Sequence, residues 1–179
     1  MLHPNTERLA EYWRDQAGPT GLPSRTAINP ADFARMLPQV FMLGRTEGGA
    51  LPFRLVGGFV AELHGRDLRG VNALTLWSPR DQLQIRSVLE QARRRPQPIV
   101  VTAEARNAAG ASMSMEVLFA PLSSRTGTAD RFIGLYQPLG MIQKLEEQPV
   151  CQLVVTAIEG AELGEPKLRL AALDGRVVA

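Results

Sequence analysis

Cysteine is almost missing from this chain. Cys151 stands alone, so no internal disulfide can form, and nothing points to an oxidising compartment. Aromatic residues are scarce at 6%, and His3 and His64 are the only 2 histidines, too few soft or imidazole ligands for a metal set. Charge of neither sign dominates: 20 Lys and Arg against 18 Asp and Glu leave a formal net charge of +2, which does not call for nucleic acid or an anionic membrane as partner. No apolar run approaches the ~18–20 residues of a membrane-spanning helix, and the opening MLHPNTER has neither a basic leader nor a cleavage motif. No glycine-rich loop ends in Lys-Ser/Thr, and no dinucleotide fingerprint follows a parallel strand. These absences leave a cytoplasmic protein without nucleic acid, membrane or metal as the plain expectation.

What is present suits one ordinary core: 179 residues, 45% of them hydrophobic and 21% charged. The stretch Phe53 to Trp77 organises the rest. Phe53, Leu55 and Gly57 alternate with Arg54 and Val56 as in a half-buried strand, and Gly57-Gly58 then allows a sharp change of direction. Phe59, Val60 and Leu63 recur at helical spacing, Gly65 and Gly70 break it, and Leu74, Leu76 and Trp77 add large apolar groups. A strand running into broken helical turns makes one wall of a concavity.

Upstream, Asn5 or Thr6 is expected to cap a helix carrying Leu9, Tyr12 and Trp13 on one stripe, ended by Gly18-Pro19. So short a helix must pack on the domain or on a second copy of the chain, and this stripe is the candidate surface of a homodimer. Asn29-Pro30 offers a second helix start, closed by Leu37-Pro38. Val40 to Leu43 reads as a strand paired through a hairpin with the one at Phe53.

Downstream, Ser78-Pro79 supplies the cap and first position of a helix to Arg95, with Ile85, Val88, Leu89 and Ala92 inward. A three-stranded meander follows: Ile99 to Arg106, then a strand with Met113, Met115, Val117 and Phe119 on one face, then Arg131 to Gln137. The expectation is an α+β domain with a five-stranded antiparallel sheet, short helices on one face and an N-terminal helical extension. After Leu139, Leu153 to Ile158 is a candidate strand and Asp174-Gly175 a candidate hairpin tip.

The segments LAEYW, LPSRTAINPADFARMLPQVFML, FRLVGG, LHGRDLRG with TLW, MEVLFAPL and FIGLYQPL, in that order, resemble the bacterial PAS family of small stand-alone proteins common in alphaproteobacteria. They cover roughly Leu9 to Leu139, and one departure is Gly58, where that family usually has threonine. The resemblance implies a helical extension over 1–38, a PAS-like domain over 39–139 and a tail over 140–179. It implies a sensory or regulatory module in signal transduction, and it names no cofactor, because one scaffold serves haem, flavin, small metabolites or nothing.

The candidate ligand pocket is formed by Phe53, Leu55, Phe59, Leu63, Trp77, Val88, Met113, Met115 and Val117, suited to a small apolar or amphipathic molecule. A ligand-free adaptor acting on a signalling protein is the alternative, and an α+β enzyme such as an isomerase, with Glu116 as a buried acid, is the third. For individual polar residues the blander role is expected: His64 at the surface or capping a loop, Glu116 facing solvent or an arginine, Arg54 in a structural ion pair, and the arginines from Arg66 to Arg95 on a solvated face. With no appended kinase, cyclase or helix-turn-helix segment, any signal is expected to leave by protein contact, so no catalysis is expected.

Overall fold

A computed structural model describes residues 1–124 and 127–160. Its strands are β1 (Val40–Gly44), β2 (Phe53–Val56), β3 (Ile99–Asn107), β4 (Ser112–Ser123), β5 (Ala129–Pro138) and β6 (Val150–Gly160). They form a single antiparallel sheet in the order β2-β1-β5-β4-β3-β6. The first five strands are those expected from the sequence. The sixth comes from the stretch around Leu153 and pairs along the outer side of β3, so the sheet is six-stranded rather than five. The hairpin expected about Asp174-Gly175 lies outside the described residues.

Apolar side chains occupy both faces of this sheet, and this decides where the helices go. On the inner face Met113, Met115, Val117 and Phe119 of β4 meet Ile99, Val101, Ala103 and Ala105 of β3. Helices α2 (Gly58–His64) and α3 (Gln82–Arg94), with the 3-10 turn Ala73–Leu76, close over them. On the outer face Val100, Leu118, Ala120, Leu122, Ile133 and Leu135 are just as apolar and would be left in water without a cover. Helix α1 (Pro4–Ala17) supplies it, joined by Phe33 and Met36 from the 3-10 turns of Pro30–Gln39. The helices after β2 therefore share the inner face, as expected, and the N-terminal helical extension covers the outer one.

This settles where the stripe of α1 is used within the chain. Leu9 is 0% exposed and Trp13 4%, both against the outer face, and the indole Nε1 of Trp13 donates to the Pro121 carbonyl at 2.6 Å. Tyr12 is half-buried, edge-on to Phe33, and its hydroxyl accepts the Asn29 N–H at 2.8 Å. The helix starts two or three residues earlier than expected: Pro4 stands in its first turn and His3, not Asn5 or Thr6, caps it, its Nδ1 accepting the Asn5 N–H at 3.1 Å.

Two local departures matter for the site. In the β1–β2 ladder Leu43 faces Phe53 while Met42 faces Leu55, so Arg54 is an extra residue, a bulge. A slip of one residue turns later side chains to the opposite face. Phe53 stays inside at 2% exposure, whereas Leu55 emerges on the outer side, 43% exposed. Helix α3 begins at Gln82 rather than Pro79. Ser78 donates instead to the Asp81 carboxylate at 2.6 Å, and that carboxylate accepts the Val155 N–H at 3.0 Å. With Ser78 N–H bonded to the Leu153 carbonyl at 2.8 Å, this turn holds β6 in place.

Candidate functional site

The cup between the sheet and its inner helices is organised by rings. Phe41 on β1 stands edge-on to Phe53 at 5.5 Å, Phe119 at 5.6 Å and Tyr136 at 5.4 Å, separations at which edge-to-face contact is favourable. Trp77 adds a tilted contact with Phe119 at 6.4 Å. Phe41 reaches this position because its cross-strand neighbour is Gly134: a Cβ there would stand 2.0 Å from the ring.

Eight of the nine predicted pocket residues belong to this interior. Phe53, Leu63, Trp77, Met113, Met115 and Val117 are buried in one cluster, with Phe59 and Val88 partly buried against it. Leu55 is the exception, turned away by the bulge at Arg54. Phe41, Phe119 and Tyr136, which join these residues, were not singled out from sequence as pocket groups. Their strands alternate legibly, but which inward ring meets which is fixed by register.

At the mouth of the cup an open groove of about 400 Å³ runs between α2 and the β5–β6 connection. Phe59, Leu63, Leu145, Ile142 and Pro149 give it apolar walls, and Glu62, Gln143, Glu147 and Gln148 its polar rim. The far wall is held from the sheet, since the Asn107 side chain donates to the Leu145 carbonyl at 2.9 Å. Glu146 and Glu147 both adopt left-handed backbone, at φ 50° and 59°, which is uncommon outside glycine. Leu139, Met141 and Ile142 on the same connection are exposed.

His64 lies beside this groove: Leu63 and Gly65, its chain neighbours, both line it. The residue is 5% exposed, which corrects the expectation of a surface histidine. Its Nδ1 is 3.0 Å from the Val150 carbonyl, so the neutral ring donates there and leaves Nε2 as a bare acceptor, without a partner among the described residues. Burial, reinforced by the Arg66 charge and opposed by the bond to Val150, lowers its pKa to about 4. The ring stands edge-on to Tyr136 at 5.8 Å, whose phenol burial pushes well above its ordinary value.

The remaining polar candidates lie elsewhere. Glu116 faces outward from β4 as predicted, yet it is 3% exposed because α1 covers it. Both carboxylate oxygens accept the His3 N–H at 3.1 Å, an anion placed at the positive end of a helix. It is nearly closed to solvent, and no arginine pairs with it among the described residues. Arg54, exposed at the bulge, makes no ion pair among the described residues. Of the arginines read as a solvated face, Arg93 instead holds Glu90 at 2.9 Å, and Arg45 holds the same carboxylate at 2.7 Å. Burial alone would raise the pKa of Glu90, but the two guanidiniums bring it below the ordinary value. No cluster of three or more His, Cys, Asp or Glu suits a metal among the described residues, and no described helix is long and apolar enough to cross a membrane.

A sheet ordered β2-β1-β5-β4-β3, cupped on one side by short helices and one longer one, is an α+β arrangement of PAS type. The sequence model of the PAS domain matches residues 1–137, and the chain belongs to that family. No curated protein matches it. Among solved structures it is similar to a LOV protein of Rhodobacter sphaeroides at 15% identity, over 64% of this chain and 70% of that one, with a TM-score of 0.47. The LOV domain of the blue-light photoreceptor Aureochrome1 in its dark state matches at 15% identity, over 65% and 87%, with a TM-score of 0.47. An RNA-binding light-oxygen-voltage receptor matches at 16%, over 69% of this chain and 36% of that one, with a TM-score of 0.49. Family membership rests on the sequence match.

Proposed function

We propose that this protein is a non-catalytic sensory module of signal transduction that takes its input at the mouth of the cup, through a small molecule lodged in the groove between α2 and the β5–β6 connection. The observation that carries this reading is the contrast between two regions. Phe41, Phe53, Phe119 and Tyr136 engage one another in the middle of the cup, whereas the groove of about 400 Å³ is open and largely apolar, within the size range of small-molecule sites. Both walls connect to the sheet, through α2 on one side and Asn107 on the other, so occupancy would be felt by β3 and β6. The output is contact with another protein, either a second copy of the chain or a signalling partner.

The ring-filled cup also favours a second reading, a ligand-free adaptor in which the exposed Leu139, Met141 and Ile142 meet the partner directly. Native mass spectrometry of the full chain purified from its host, wild type beside Ile142→Trp, tests the first reading. Ile142 is 47% exposed, so the fold tolerates the larger ring while it fills the groove without changing the charge there. A small-molecule adduct present in the wild type and lost in the variant is expected. An adduct that survives Ile142→Trp, or a bound protein and no small molecule, contradicts it.

A further inference from the structure

We infer that the groove at the mouth of the cup selects an amphipathic cation, an alkyl or aryl amine whose apolar body lies on Phe59, Leu63, Leu145 and Pro149 while its ammonium sits at the Glu62 and Glu147 rim. This rests on the groove being the input site, as proposed above, and adds the chemistry of what enters. The charged side chains lining the groove are both carboxylates, Glu62 from α2 and Glu147 from the facing connection. They approach from opposite walls, in a chain whose formal net charge is +2. Neither takes part in an ion pair or side-chain hydrogen bond among the described residues. The nearby cations, Arg66 one position past Gly65 and Lys144 on the connection, do not line the groove. Its neutral polar groups, Gln143 and Gln148, accept hydrogen bonds from an ammonium as readily as they donate.

Two other features among the described residues lack this combination. Glu116 is engaged by the start of α1, and the larger cleft of about 770 Å³ at Arg25, Ser123 and Arg131 has no apolar side chain among its described lining residues. At the mouth, by contrast, an apolar floor and an anionic rim occur together, and this combination separates an amine from a fatty acid of the same length. Opposite charge at this exposed rim gives selectivity that weakens as salt screens it, over a Debye length of about 8–10 Å near physiological ionic strength.

The experiment titrates octylamine, octanoate and octanol, matched in apolar length, into the full-length protein at neutral pH and follows backbone amide shifts by two-dimensional NMR. Octylamine is expected to move the amides of Leu63, Gly65 and Leu145 at a concentration at least tenfold lower than octanoate. The Glu62→Gln, Glu147→Gln double variant should bring the three probes to similar affinity, and added salt should weaken octylamine alone. Equal binding of octylamine and octanol at these amides, unchanged in the double variant, would overturn the selection of a cation while leaving the groove as the input site. No shift there with any probe would overturn both.

Discussion

Gly134 shows how much a single missing side chain decides. The Phe41 ring occupies the space of its Cβ, and through Phe41 three other rings find their positions. Gly134→Ala is therefore expected to cost about 2–3 kcal/mol by overpacking, read as a lower urea midpoint. Gly57 and Gly58 divide in the same way. A Cβ on Gly57 would stand 2.3 Å from the Pro38 carbonyl oxygen, while one on Gly58 meets nothing within 4 Å. Gly58→Ala should thus stabilise α2 by ~0.5–1 kcal/mol, and Gly57→Ala should destabilise the protein in the same denaturation series.

His64 gives a pH dependence whose sign is fixed. Its pKa is about 4 when folded, from an ordinary value of 6.5, so between these values the unfolded chain binds the extra proton and stability falls as pH falls. The contribution is fully present above about pH 6.5 and lost towards pH 4, on the order of 2–3 kcal/mol in all. Replacing His64 with phenylalanine should flatten that part of a stability-against-pH curve. An unchanged slope would show that other groups carry it. The sequence could not reveal this burial, because what draws His64 inward is the Val150 carbonyl, 86 positions away.

At the scale of elements, α1 is a cover for the sheet. Trp13→Ala removes a 4% exposed side chain and its bond to Pro121, and it should cost roughly 3–5 kcal/mol in chemical unfolding. The Glu116 carboxylate beneath the start of α1 suggests a milder probe. Glu116→Gln keeps an acceptor for His3 but removes the charge, and should cost ~1 kcal/mol with amide exchange increased selectively in the first turn of α1. Strands β3 and β4 were legible in sequence because alternation survives over much of their length. The start of α3 was not, because Ser78 and Asp81 are taken up by β6 rather than by a cap, and Leu55 was misplaced because the bulge that turns it exists only in the pairing with β1. The far wall of the groove lies in a stretch without periodicity, held by Asn107, so only the near wall, Phe59 and Leu63, was readable.

The molecule as a whole is a PAS domain with both sheet faces covered, a core knit by rings and an open groove at the mouth. The proposed function requires a ligand to exchange at that mouth and not among the rings. Amide-resolved NMR of the full chain, titrated with a mixed library of small apolar, cationic and anionic fragments, tests this most directly. Shifts concentrated at Phe59 to Gly65 and Ile142 to Pro149 are predicted. Shifts concentrated instead at Phe41, Phe119 and Tyr136, with the mouth undisturbed, would contradict entry at the mouth.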